Sequence, residues 1–360
     1  MRKDDPRLRP KARGRGAGYN PANRFERLAA VAEDDGWASA EPEHALRTEI
    51  SLERPRSVIT RNRSPDLGFD RSINPFRGCE HGCIYCFARP SHAYLGLSPG
   101  LDFETKLVAR PEAADVLRAE LSRASYRVGP LAIGTNTDPY QPAERDLKVM
   151  RAVLEVLQDF RHPVGIVTKG TLIERDVDIL AEMAGDGLAK VGVSVTTLDA
   201  GLARRMEPRV PAPLRRLQVI ERLAAAGIPV RLMVSPVIPG LTDFEIERLV
   251  EAGAAAGARA ASMITLRLPL EVAPLFRDWL QTHMPDRAAR VMARVREMQG
   301  GKDYASDFGT RMTGTGVYAG MLQQRFARAL RAAGLSRDLA PLRCDLFRVP
   351  PRPGDQLSLF

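Results

Sequence analysis

The sequence predicts an α/β protein built from parallel βα units. From Asp70 onward, short β-branched runs alternate with amphipathic stretches long enough to be crossover helices, and polar clusters recur just past the carboxyl ends of the runs. The strand candidates are 71–74, 131–135, 164–168, 191–196, 229–235 and 260–267, with helical stretches at 112–123, 143–160, 172–184, 214–226 and 244–256. This periodicity fits a doubly wound open sheet and a (β/α) barrel equally well. In either, ligands bind beyond the carboxyl ends of the strands.

The remaining segments follow from composition. Residues 1–55 read as a basic, poorly ordered arm, of which residues 1–15 are rich in Gly and Pro and nearly free of large apolar groups. Such an arm can gather phosphates through counterion release or simply be solvated. Residues 56–268 form the α/β core. A helical extension follows at 269–345, with helices expected at 285–299 and 318–333. Its recurring Arg287, Arg290, Arg294, Arg296, Arg325, Arg328 and Arg331 make either a phosphate-binding face or a solvated one. Residues 346–360 are a proline-rich tail. Across the 360 residues the formal net charge is +9, which suits an anionic partner. No run approaches the roughly 20 apolar residues a membrane helix needs, so no membrane is expected. Four cysteines and no apolar leading segment point to a reducing cytoplasm.

Chemistry concentrates in one loop, Cys79-Glu-His-Gly-Cys83-Ile-Tyr-Cys86, directly after the first strand candidate. Three thiolates at this spacing can hold three corners of a [4Fe–4S] cube and leave one iron open, which points to catalysis rather than to a structural staple. Gly78 and Gly82 let the loop wrap tightly. A structural zinc site would need a fourth ligand from Cys344, His81 or His92, and a disulfide does not suit the reducing compartment.

Cys79, Cys83 and Cys86, with Tyr85 just before the last, resemble the cluster loop of the radical S-adenosylmethionine (SAM) enzymes. Asn74-Pro75-Phe76-Arg77-Gly78-Cys79 and Gly134-Thr135-Asn136-Thr137-Asp138-Pro139-Tyr140-Gln141-Pro142 resemble the spore photoproduct lyase-like branch. The likeness, from about Ser72 to about Leu335, implies a partial (β/α)6 barrel. It also implies SAM chelated at the open iron and cleaved reductively to a 5′-deoxyadenosyl radical, with an electron donor such as flavodoxin or ferredoxin. Carried over position by position, Asn136, Thr137 and Asp138 would meet the methionine ammonium and carboxylate. Lys169 would meet the carboxylate, Ser194 the ribose and Tyr85 the adenine. The loop 236–243, near the adenine in such proteins, also reads as a turn in which Thr242 or Asp243 caps the next helix.

One departure matters. Spore photoproduct lyase uses a cysteine near the end of the second strand as hydrogen donor, and this chain has Gly134-Thr135-Asn136 there. Tyr140, or Cys344 folding back, are the remaining donor candidates. The chain closes on Gln356-Leu357-Ser358-Leu359-Phe360, which matches the linear motif that docks bacterial repair and polymerase proteins on the DNA sliding clamp. Charge, kinship and terminus together favour a DNA substrate, with clamp recruitment. The rivals are an enzyme acting on RNA, protein or a small metabolite, and a non-catalytic clamp-associated iron–sulfur adaptor.

Overall fold

The computed structural model describes residues 14–25 and 46–351. Strands β1 (Glu49–Leu52) and β2 (Ile59–Arg61) lead into β3 (Arg71–Ile73), and β4 (Phe76–Arg77) and β5 (Lys106–Ala109) flank the cysteine loop. Then come β6 (Leu131–Ile133), β7 (Val164–Thr168), β8 (Ala189–Ser194), β9 (Val230–Val237) and β10 (Ala260–Thr265). The main sheet has the order β10-β9-β8-β7-β6-β3-β2, and β1, β5 and β4 form a small second sheet. From β3 to β10 the main-sheet neighbours are parallel, and only β2 runs antiparallel, to β3. These strands lie side by side in chain order with no reversal. A doubly wound sheet must reverse at a switch point, so the ambiguity left by periodicity resolves to a partial (β/α)6 barrel.

Helices α2 (Ala113–Leu121), α3 (Glu144–Leu147), α4 (Val149–Asp159), α5 (Val177–Gly185), α7 (Pro213–Ala225) and α8 (Ile246–Ala255) cover the outer face, while α1 (Asp102–Thr105) and α6 (Ala200–Met206) pack against the cysteine loop. Along each strand alternate residues point to opposite faces. Val191, Val193, Val230, Leu232 and Val234 are buried in the core beneath the helices. Their neighbours Gly165, Val167, Lys190, Gly192, Arg231 and Met233 line an interior cavity. Barrel interiors of this kind are usually filled by branched side chains; here glycines leave the space open. The seam between β10 and β2 is bridged by residues 309–312. The Thr265 amide bonds the Met312 carbonyl at 2.9 Å, and Arg311 bonds Asp66 at 2.5 Å.

The extension holds α9 (Val272–His283), α10 (Pro285–Met298) and α11 (Gly316–Ala333). The last two match expectation; α9 and α6 were not anticipated. Three arginines of the expected basic face have acidic partners: Arg294 with Glu297, Arg296 with Asp303 and Arg325 with Glu247. Stretch 143–160 is not one helix. Lys148 takes a left-handed conformation (φ 51), and the Glu144 carboxylate turns back to accept the Val149 and Met150 amides at 3.0 Å each. That satisfies donors the start of α4 would otherwise leave unpaired. In 236–243, Thr242 and Asp243 close the turn rather than cap a helix, accepting the Ile238 and Gly240 amides at 2.9 Å.

Two terminal segments behave differently from expectation. Residues 14–25, read as part of a poorly ordered arm, pack on the cysteine loop: the amides of Gly16 and Ala17 donate to the buried Glu104 carboxylate, each at 2.8 Å. Residues 336–348 cross the opposite end of the barrel, before the strands begin. The Arg343 amide bonds Gly187, the Arg348 amide bonds Phe160, and Phe347 packs among Tyr126, Phe160 and His162. Gln356–Phe360 of the clamp-like motif lie outside the described residues. Among the described residues no helix is long and apolar enough to cross a membrane.

Candidate active site

The cysteine loop sits at the carboxyl ends of the barrel strands, held from behind by one buried arginine. Arg89 is fully buried; its Nε donates to the Cys83 carbonyl at 3.0 Å and its Nη2 to the Gly82 carbonyl at 3.2 Å. The same Nη2 pairs with Glu104 at 2.5 Å. Glu104 also holds the strap of residues 14–25, so one buried ion pair unites loop and strap. The loop needs its glycines. A Cβ on Gly82 (φ +64) would lie 2.6 Å from Glu104 Oε2, and one on Gly78 (φ +76) would lie 2.9 Å from the Phe103 carbonyl oxygen.

The three cysteines are unbridged; Cys79 and Cys83 are buried and Cys86 is half-buried. Burial pushes the Cys79 thiol well above its ordinary value and the Cys83 thiol up to about 12. Three thiolates crowded here need positive charge among them, which an iron–sulfur cluster supplies. Among the described residues no three Cys, His, Asp or Glu converge on a single ion. His81 is instead 3.3 Å from Asp138, and the Nε2 of His92 is buried without a partner beside Phe103. The donor set fits a multi-iron cluster held by Cys79, Cys83 and Cys86, not a mononuclear zinc site.

Other expected site residues divide. Asn136 lines the cavity. Lys169, at the end of β7, places its ammonium 5.8 Å from the Tyr85 ring centroid, with no salt-bridge partner among the described residues. A lone ammonium facing the loop, and the unpartnered buried Ser235 hydroxyl on β9, suit a zwitterionic ligand such as SAM. Ser194 is buried at the end of β8. Thr137 and Asp138 are already committed. The Thr137 hydroxyl donates to the Phe76 carbonyl at 3.0 Å. Asp138 accepts from Tyr140 N, Thr168 Oγ1 and Lys169 N at 2.9, 2.6 and 2.7 Å. Burial alone would raise the Asp138 pKa; His81 and these donors outweigh it and hold the group down at about 2. Asp138 therefore braces the site and leaves no oxygen for a methionine ammonium.

Neither donor candidate reaches the cavity. Tyr140 is buried, and its hydroxyl donates to Asp176 at 3.1 Å behind the sheet. Cys344 lies between the Arg343–Gly187 and Arg348–Phe160 backbone contacts, at the amino-terminal end of the strands, with the barrel's full length between it and the cysteine loop.

Tyr85 rests on a buried network that sequence reasoning missed. Its hydroxyl donates to Glu207 and lies 3.1 Å from Thr196; Arg216, fully buried, pairs with Glu207 at 2.6 Å and donates to the Ser194 carbonyl at 2.9 Å. Burial, then the Glu207 charge, keep the Tyr85 phenol protonated well above its usual range.

A cavity of about 1360 Å³ runs through the barrel interior, from Phe87, Ser91 and Tyr94 just past the cysteine loop to Asp338, Leu339, Pro341 and Leu342 at the amino-terminal end of the strands. Arginines stack on aromatics around it: Arg24 on Phe25 and Tyr94 at 4.7 and 5.2 Å, Arg267 on Phe87 at 4.1 Å, and Arg311 on Phe308 at 4.7 Å. Arg267 lies two residues past the last strand, as Lys169 lies one residue past β7, so its placement was the one missed feature with a sequence signal.

A chain-order parallel barrel with a three-cysteine loop after its first strand defines a class of protein, the cluster-bearing barrel that generates organic radicals. The Radical SAM superfamily model matches residues 73–253, and the chain belongs to that superfamily. It is accordingly a radical SAM enzyme, with a [4Fe–4S] cluster and SAM as its cofactors. An uncharacterized protein of Mycobacterium tuberculosis is 38% identical over 277 residues, 76% of this chain and 78% of that one. An uncharacterized protein of Methanocaldococcus jannaschii is 27% identical over 199 residues, 55% of this chain and 71% of that one. Among solved structures, spore photoproduct lyase complexed with dinucleoside spore photoproduct is similar in fold, with TM-score 0.56, 16% identity and 79% of each chain covered.

Proposed function

We propose that this enzyme acts on DNA, abstracting hydrogen from a damaged or modified nucleotide, and that the sliding clamp recruits it through Gln356-Leu357-Ser358-Leu359-Phe360. The observation that carries the reading is the cavity mouth, where arginine–aromatic pairs stand at the Phe87–Tyr94 end of a cavity of about 1360 Å³. Guanidinium groups suit phosphates and aromatic faces suit bases, the combination that binds unpaired nucleic acid. A base stacked in a duplex cannot enter a barrel, so the nucleotide is flipped out or already single-stranded. The fold it shares with spore photoproduct lyase agrees with such a substrate.

With cluster and SAM bound, the site would supply a 5′-deoxyadenosyl radical able to take hydrogen from an unactivated C–H bond. The chain's own residues do the rest. Cys79, Cys83 and Cys86 hold the cluster and Lys169 faces the SAM carboxylate. Asn136, Ser194 and Tyr85 line the remainder of the cofactor, with Glu207 fixing Tyr85, and the roof of residues 14–25 excludes water. Repair by the thiol route of spore photoproduct lyase does not fit, because no cysteine stands at the end of β6.

The test is anaerobic reconstitution with deuterium-labelled DNA carrying candidate lesions. Label appearing in 5′-deoxyadenosine supports the reading; label transfer only from RNA, peptide or metabolite pools transfers it to that substrate class. Recruitment is tested by clamp pull-down: capture of the full chain, lost on Leu359→Ala/Phe360→Ala, is expected, and equal capture of both sinks it.

A further inference from the structure

Of the cavity-mouth cations, Arg267 stands apart in lacking an acidic partner. Arg24 pairs with Glu271, Arg110 with Glu53 and Arg311 with Asp66. No acidic side chain among the described residues lies within salt-bridge distance of Arg267, and no hydrogen bond satisfies its guanidinium. It is half-buried, two residues past the end of β10, stacked at 4.1 Å on Phe87, which directly follows Cys86. The groups facing it are Tyr304, Arg311, Cys86 and, at longer range, Asp66. A guanidinium is charged at any working pH, and with no protein acceptor among the described residues its N–H donors stay available to an anionic ligand. Stacking on Phe87 fixes the plane of the fork, as needed to grip two oxygens of one anion.

We propose that Arg267, laid over Phe87, grips a phosphodiester of the nucleic-acid substrate and so sets how far the reacting nucleotide enters the cavity. The inference rests on the DNA reading above and adds to it a specific anchor. From an anchor beside Cys86, the attached sugar and base point into the barrel past Gly134, Gly165 and Gly192, which line the cavity. Those glycines add no side chains of their own to the path; at Gly192, where a Cβ would lie 2.7 Å from its Sδ, the Met233 side chain packs against the backbone.

The experiment is fluorescence anisotropy of a single-stranded thymidine oligonucleotide with cluster-reconstituted, SAM-loaded protein across a salt series. Arg267→Gln is expected to weaken binding about tenfold and to lower the slope of log K against log salt by about 0.7, one phosphate contact on a single strand. Arg267→Lys restores the slope but only part of the affinity, because a point charge replaces the fork. A methylphosphonate scan gives a second readout that needs no variant. One neutralised linkage should cost the wild-type protein about as much as Arg267→Gln does, and should cost Arg267→Gln nothing further. Wild-type binding with an unchanged Arg267→Gln, or a scan with no single sensitive linkage, overturns the anchor and leaves the DNA reading standing. Failure of the wild-type protein to bind the oligonucleotide overturns both.

Discussion

His81 Nδ1 lies 3.3 Å from Asp138 Oδ2, and this contact joins the cysteine loop to the ends of β6 and β7. Asp138 also receives Thr168 from β7 and the Lys169 amide beyond it. His81, midway between Cys79 and Cys83, is thus braced on the same carboxylate that fixes the backbone of Lys169. The cysteine loop and the end of β7 are one mechanical unit.

Asp138→Asn keeps the shape of that brace and removes its charge. Charge-assisted hydrogen bonds contribute about 1.5–3 kcal/mol each, so a net loss of about 2–3 kcal/mol is expected by urea denaturation. Iron bound per chain after reconstitution should fall as well. Full iron occupancy with unchanged stability would show that His81–Asp138 does not support the loop.

The strap of residues 14–25 is expected to shield the cluster. Gly16 sits where a Cβ would lie 1.8 Å from the Gly82 carbonyl oxygen, so Gly16→Val lifts the strap from the loop. Cluster absorbance of the variant should bleach in air several-fold faster than that of the wild type, with the barrel's helical circular dichroism intact. Equal bleaching rates would leave the strap without a protective role.

How much of this was legible depends on how local each signal is. Cys79, Cys83 and Cys86 stood out because their spacing within one loop is that of a ligand set. Lys169 and Asn136 could be placed because parallel strands put their carboxyl ends on one side. Arg89, Glu104, Glu207 and Arg216 could not, since charged residues read as surface until the fold brings opposite charges together in the core. Tyr140 misled for a related reason: lying beside Asp138 in sequence does not decide which face of the sheet a side chain takes. Cys344 depended on the route of the C-terminal segment, which runs to the far end of the barrel.

The Glu207–Arg216 pair tests the link from buried charge to cofactor binding. Arg216→Met leaves Glu207 buried without its cation, and breaking such a pair from one side costs about 3–5 kcal/mol. Glu207→Gln keeps the volume but weakens the hold on the Tyr85 hydroxyl. It should weaken SAM binding by equilibrium dialysis more than it lowers the melting temperature. A Glu207→Gln protein with wild-type SAM affinity would confine the network to a structural role.

Cys344→Ser should leave product formation within about twofold of wild type, because the thiol sits at the amino-terminal end of the strands. A large loss of turnover, with uncoupled SAM cleavage persisting, would mean that the C-terminal segment reaches the cavity during catalysis.

The floor of the barrel should loosen in mild acid through His162. Its Nε2 meets the Tyr126 hydroxyl at 2.7 Å and its Nδ1 lies 3.0 Å from the Pro163 carbonyl oxygen, with Phe347 edge-on at 5.5 Å. Burial lowers its pKa from 6.5 to about 4, with a smaller contribution from Arg71. The unfolded chain therefore binds the proton more readily than the folded one between those values. The stabilising contribution is complete above pH 6.5 and is lost as pH falls toward 4, at about 1.4 kcal/mol per pH unit. His92, lowered to about 4 as well, acts in the same direction, so the share of His162 must be read as a difference between proteins. Urea midpoints of wild type and His162→Gln should differ by a constant amount above pH 6.5 and converge as pH falls toward 4; parallel curves across that window would show that His162 does not titrate with unfolding.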